Sequence, residues 1–185
     1  MSATNFTISL RCADSSGAEP ISLEEAKLYL RIDHDYEDSM LEVFISAARS
    51  AAEGKTGRIV KPSVWEWVVT GISDTVRFPI APCSGVASVS VEGVTVDPSL
   101  YQVTAGNICP IFGTITPLSG FPEGTATINL NAGYTSIPDD MRKWILTRIA
   151  DFYEQRESFV VGRSGQTFDR KFVDCLLDPY LIVEV

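Results

Sequence analysis

The hydrophobic period of this chain changes twice, and that limits its fold more than any other feature. Apolar residues recur every three to four positions from Leu23 to Ala52. They alternate through much of 62–137, and the longer period returns from Met141 to Phe152. A period near 3.6 sets one face of a helix on a core, and a period of 2 sets one face of a strand there. The reading is therefore α+β: two N-terminal helices, a β insertion, then two C-terminal helices. The helices are expected to make a four-helix bundle-like domain, and the insertion an antiparallel β sandwich or barrel. The expected boundaries are a discontinuous helical connector domain, 1–61 and 138–185, and an inserted β domain, 62–137. A chain of 185 residues can bury such a core without metals or disulfides.

Local signals support each element. Ser22-Leu23-Glu24-Glu25 is a capping box, with Leu23, Ala26 and Leu30 following at helical spacing. Asp33-His34-Asp35-Tyr36 breaks the pattern. Asp35 and Asp38 can start a second helix, whose stripe is Leu41, Phe44, Ala48 and Ala51, widened by Ile45 and Ala52. Gly57 is its natural stop. In the middle, Trp65, Trp67 and Val69 alternate with polar or smaller residues, as do Ala87, Val89 and Val91, and Ala126, Ile128 and Leu130. Glycine and proline punctuate these runs, as antiparallel strands require. Pro138 suits a first helical position, and Met141, Ile145, Ile149 and Phe152 form the next stripe. A loop at Gly162-Arg163-Ser164-Gly165 precedes a short fourth helix, Arg170 to Leu177, stopped by Pro179.

Charge excludes one class of function. The net charge is −9 and the pI is near 4.6. Such a chain lacks the basic footprint of a protein that grips nucleic-acid phosphates. Residues 62–137 hold five acids against one base, Arg77, so the insertion differs in composition from both flanks. No apolar run approaches the roughly 18 residues of a membrane span, and the N-terminus shows no secretory pattern. Cys12, Cys83, Cys109 and Cys175 are far apart, with no CxxC and a single histidine, so buried thiols are expected rather than a zinc site.

Motifs with chemical meaning are few. Gly54-Lys55-Thr56 ends like a phosphate-binding loop, but Arg49 stands where that motif needs glycine, and the triplet closes a helix. Asp33, Asp35 and Glu37 start like a calcium loop, but Asp38 and Phe44 occupy its glycine and glutamate positions. His34 sits between aspartates in a turn and is read as solvated. Trp65 and Trp67 share a strand face and could stack a sugar, although core packing is their commoner use. No catalytic residue, cofactor site or metal site is expected. The end of the chain is more informative. Tyr180, Leu181, Ile182, Val183 and Val185 follow Pro179 as an apolar tail. Such a tail folds back on its own core or docks on a partner by strand addition or groove insertion. Docking is the expectation taken forward.

Taken together, the pieces resemble a known family. Ile21-Ser22-Leu23-Glu24-Glu25-Ala26-Lys27, then Leu30-Arg31-Ile32-Asp33-His34-Asp35, then Ala47-Ala48, Glu53 and Thr56-Gly57, resembles the N-terminal signature of tailed-bacteriophage head–tail connector (adaptor) proteins. Phe78-Pro79-Ile80-Ala81-Pro82 is similar to the proline-framed strand start of the subgroup with a β insertion. Tyr101 after Asp97-Pro98-Ser99, Gly133-Tyr134, Ile137-Pro138 and Tyr153-Glu154-Gln155-Arg156-Glu157 follow in the family's order. The resemblance implies a non-enzymatic virion neck protein, a ring of about twelve copies under the portal. It implies contacts with the portal protein, with a stopper or tail-completion protein, and with neighbouring copies. DNA would pass through the channel without tight binding, with no membrane involved, and the host cytoplasm would be the place of assembly. Contacts between copies are expected to be modest and polar, because few apolar stripes exceed what the core needs. Relatives often carry a basic residue soon after the position of Pro179-Tyr180, where this chain runs Leu-Ile-Val-Glu-Val. The alternatives are a stopper or tail-completion neck protein and, outside that class, a glycan-binding β module or a carboxylate-based enzyme.

Overall fold

The structure, a computed structural model, describes residues 6–106, 112–155 and 171–182. The loop read at Gly162-Arg163-Ser164-Gly165 lies outside them. The architecture is α+β with antiparallel sheets. The chain divides into two compact units: a β unit, Met1–Ala18 with Lys61–Thr135, and a helical unit, Glu19–Val60 with Ser136–Val185.

The β unit contains β1 (Phe6–Asp14), β2 (Ser63–Thr70), β3 (Val76–Arg77), β4 (Cys83–Val91), β5 (Val94–Thr95), β6 (Tyr101–Thr104), β7 (Thr114–Pro117) and β8 (Thr125–Ala132). A five-stranded sheet runs β1-β2-β8-β4-β5, and a three-stranded sheet runs β3-β7-β6. The first strand corrects the expected boundaries. Those boundaries group residues 1–18 with the helices, yet β1 pairs antiparallel with β2, Leu10 opposite Trp67 and Cys12 opposite Trp65. Phe6, Ile8, Leu10 and Cys12 alternate with Thr7, Ser9 and Arg11, a strand signal that the expected boundaries leave out, although most of β1 is exposed.

Strand β8 follows the expected alternation, burying Ala126, Ile128, Leu130 and Ala132. Strand β4 departs from it. Val89 and Val91 are buried, but Ala87 is exposed, because the β4–β8 register shifts between Val86 and Ser88. Such a bulge turns one residue out of phase. Trp67 fills the core edge-on to Phe78, with ring centroids 6.2 Å apart. Gly133 has φ +97°, and a side-chain carbon there would lie 2.4 Å from the Lys61 carbonyl oxygen, so only glycine fits.

The helical unit contains α1 (Leu23–Leu30), α2 (Asp38–Thr56), α3 (Asp139–Glu154) and the single turn α4 (Lys171–Asp174). Ser22 Oγ accepts from the Glu25 N–H at 3.2 Å, so the capping serine works as its spacing predicts. Gly57 ends α2 in the left-handed region, φ +71°. The buried face of α2 is Leu41, Ile45, Ala48, Ala52 and Thr56. It is rotated from the expected stripe: Ala51 is exposed and Phe44 only half-buried, facing Phe152 with centroids 6.2 Å apart.

The fourth helix also differs from expectation. It was read as one α-helix from Arg170 to Leu177, but Arg170 lies outside the described residues. After Asp174 the chain tightens into a 3-10 helix, Cys175–Tyr180, that contains Pro179. In an α-helix the Pro179 ring would press on the carbonyl of Cys175, whereas the tighter helix avoids that clash. Cys83 is buried and its thiol pushed upward by burial, but Cys12 and Cys175 are exposed, against the expectation of buried thiols.

Candidate functional site

Two of the five candidate docking residues, Tyr180 and Ile182, lie against the C-terminal end of α2. The last turn of that helix must satisfy its carbonyls without a further turn. Thr56 turns its hydroxyl back to the Ala52 carbonyl at 2.8 Å and also accepts from the Arg58 N–H at 3.2 Å. The Thr56 carbonyl accepts from the Ile182 N–H at 2.9 Å. Arg58 follows Gly57 and is 1 % exposed. Its Nε donates to the Tyr180 carbonyl at 2.6 Å, and its guanidinium lies 5.5 Å from the centre of the Tyr180 ring. Ile182 covers Gly57, where an added side-chain carbon would lie 3.5 Å from Ile182 Cβ. Of the five tail residues, the structure therefore brings Tyr180 and Ile182 onto their own helical unit. Leu181 is exposed. Val183 and Val185 lie outside the described residues.

A second tie secures the same segment. Asp174 Oδ2 accepts from Lys55 Nζ at 2.9 Å and Oδ1 from the Trp144 indole at 3.0 Å, and Arg148 approaches Oδ1 at 3.6 Å. Hydrogen bonds from Lys55 and Trp144 hold its carboxyl below the ordinary 3.8. The turn α4 is thus joined to both α2 and α3. Sequence reading missed Arg58 and Asp174. A base just after a helix-ending glycine and an acid near the next helix are weak signals, since both are common on surfaces.

The other end of the helical unit shows a different character. Leu28, Tyr29, Tyr36, Met40 and Val43 are all exposed there, Leu28 at 80 % and Tyr36 at 91 %. This corrects the expectation that few apolar residues exceed the needs of the core. Beneath them, Lys27 Nζ reaches Asp35 at 2.5 Å and Asp38 at 2.8 Å, clamping α1 to the start of α2. The Lys27 hydrogen bond holds the Asp35 carboxyl below its usual range, and both partners raise the ammonium.

The remaining sequence candidates have structural partners. Lys55 is held by Asp174, and Thr56 is buried in the helix end. Glu37 accepts from the Tyr153 hydroxyl at 2.7 Å, while Asp35 and Asp38 are held by Lys27. Among the described residues, no group of three or more His, Cys, Asp or Glu could hold a metal ion. His34 is half-buried rather than solvated, its ring 5.4 Å from that of Tyr36. Trp67 is 2 % exposed and its indole donates to Thr7 Oγ1, so Trp65 and Trp67 offer no paired sugar platform. A shallow groove of about 270 Å³ in the β unit has a mixed lining that includes Asp14, Ser16, Pro62, Val64 and Asn131. The Asp14 carboxylate there is already held by the Ser16 N–H and hydroxyl. No described helix is long and apolar enough to cross a membrane.

Comparison with known proteins agrees with this picture. No curated protein matches the sequence. The fold is similar to a chain in the neck of an empty gene transfer agent particle computed with C6 symmetry, at 21 % identity and TM-score 0.71. It is similar to a chain in the virion of a native gene transfer agent particle, at 20 % identity and TM-score 0.73. A third similar chain comes from the neck of a native particle computed with C12 symmetry, at 21 % identity and TM-score 0.66. Each match covers 96 % of this chain and 97 % of the other. Residues 20–92 match the family of phage gp6-like head-tail connector proteins. The resemblance read from the sequence is borne out: over α1, α2 and the first strands that follow them, the chain carries the mark of the phage gp6-like head-tail connector family.

Proposed function

We propose that this protein is a structural head–tail connector of a tailed phage or phage-like particle, assembled in the neck as a ring of about twelve copies. The joint match carries this reading: a connector-family signature at the N-terminal helices, within a fold shared end to end with chains of particle necks and virions. A ring of twelve accords with the C12 symmetry of one of those necks. The role needs rigid surfaces rather than chemistry. The helical unit, a bundle of two long helices, α2 and α3, with the shorter α1 and the turn α4, would form the ring body, and the β unit a sandwich offering a second surface. The portal protein would be the partner on the head side, and a stopper or tail-completion protein the partner on the tail side. A net charge of −9 on every copy makes the channel repel phosphates, so DNA passes without being gripped.

Removal of the gene from a particle-producing host tests the role. The connector reading expects DNA-filled heads and separate tails, and whole particles formed without the protein overturn it. We further propose that the tail docks on the portal beyond its anchor at Tyr180 and Ile182, through Leu181, Val183 and Val185. Deletion of residues 183–185 leaves that anchor in place. It should keep the melting temperature and abolish portal attachment, and retained attachment would refute docking by the tail.

A further inference from the structure

We infer that the outer face of α2 is the surface on which the next copy of this chain packs in the ring, an inference that rests on the connector reading. Opposite the buried stripe, the solvent side of α2 and its leading turn carries Tyr36, Met40, Val43, Ala47, Ala51 and Gly54, all exposed. Tyr36 is 91 %, Val43 62 % and Met40 46 % exposed. At 100° per residue Met40, Val43, Ala47, Ala51 and Gly54 fall on one side of the helix, joined by Ser39 and Ser50, and Tyr36 stands in the turn before it. The charged side chains of α2 flank that side: Glu42, Arg49 and Glu53 along one border and Lys55 on the other. A surface helix ordinarily turns its charged face to water. Here about four turns of helix, roughly 21 Å, face water without a charge. An added side-chain carbon at Gly54 would meet nothing within 4 Å, so this end of the face is open to a neighbour.

Charge selects the occupant. A partner of opposite sign would be held by carboxylates, which this face lacks. Identical copies, each at −9, repel, and placing like charges in contact is costly. A neutral apolar face is where two such copies can touch without bringing their acids together. Ring closure adds a geometric condition. The face of one copy must meet a different surface of the next, because α2 against α2 would be a two-fold contact that stops at a dimer.

The test uses the full chain. Ala47→Glu places a carboxylate in the middle of an exposed face, so the melting temperature should stay unchanged. A photo-activatable residue at position 47 reports what lies against the face. The unsubstituted protein should form rings on portal-bearing heads, visible by negative-stain microscopy. Ala47→Glu should need at least tenfold more protein to do so, and position 47 should cross-link to a second copy at a site outside α2. Rings formed equally well by Ala47→Glu overturn the inference and leave the connector reading standing. So do cross-links only to the portal protein, or only between two α2 helices in a closed dimer. Absence of rings from the unsubstituted protein overturns both readings together.

Discussion

The β unit and the helical unit are joined by different forces. In the β unit the pairing itself is the tertiary structure: Trp67 lies opposite Leu10 on one side and Ile128 on the other. A strand cannot satisfy its own backbone, so distant segments must supply the partners. A helix has already satisfied its own, and only side chains can join it to another. In the helical unit buried apolar side chains such as Leu41, Ile45, Met141, Trp144 and Ile149 do most of that, and ion pairs supplement them nearer the surface. Arg142 reaches Glu25 from α3 to α1, Lys27 clamps Asp35 and Asp38, Arg49 links Glu19 and Glu53, and Asp174 holds Lys55. The ion-paired joints of the helical unit should therefore respond to acid and salt, while the backbone ladders of the β unit should respond to steric changes.

The strongest test of that contrast is Gly133→Ala. The positive φ and the clash with the Lys61 carbonyl should cost about 3 kcal/mol or more, confined to the β unit. The near-ultraviolet circular dichroism of Trp65 and Trp67 should melt early while the helical signal at 222 nm persists. If both signals melt together, the two units are not separate in stability and the contrast fails.

Arg58→Ala should come next, at about 2–4 kcal/mol, because it strips a donor from the Tyr180 carbonyl and empties a buried site. Urea unfolding followed at 222 nm measures it. A change below experimental error would show that the C-terminal segment is not locked to α2.

The third effect depends on pH. The Asp174 carboxyl is lowered in the folded state, so its stabilisation is complete above the ordinary 3.8 and is lost as pH falls through the lower folded value. Asp174→Asn should cost about 1 kcal/mol at neutral pH and flatten the acid limb of helical stability. An unchanged acid limb in this variant would assign acid sensitivity to other carboxylates. The smallest effect is that of Lys27→Ala. Its partner Asp35 is 89 % exposed, so the loss in a urea melt should be small and shrink in high salt. A larger loss, insensitive to salt, would mean that packing rather than charge joins α1 to α2.

Much of the helical unit and part of the sheet were legible because their signals are local. The Ser22 cap, the Gly57 stop and the alternation from Ala126 to Ala132 each act within a turn of helix or a two-residue repeat. The rest required partners that local pattern does not name. β1 alternates Phe6, Ile8, Leu10 and Cys12 with Thr7, Ser9 and Arg11, but only its ladder with β2 assigns it to the β unit rather than to the helices that follow it. The buried side of α2 is set by what packs against it, which is why Ala51 faces solvent and Ala52 the core. Arg58 reads as a surface base until the chain returns 122 residues later and places the Tyr180 carbonyl and ring against it. Sequence by itself determined the start of α1, the stop of α2 and the inward face of β8, because capping, glycine stops and apolar period are short-range effects. Only the tertiary structure decided which faces are covered, because burial depends on contacts between residues far apart in the chain.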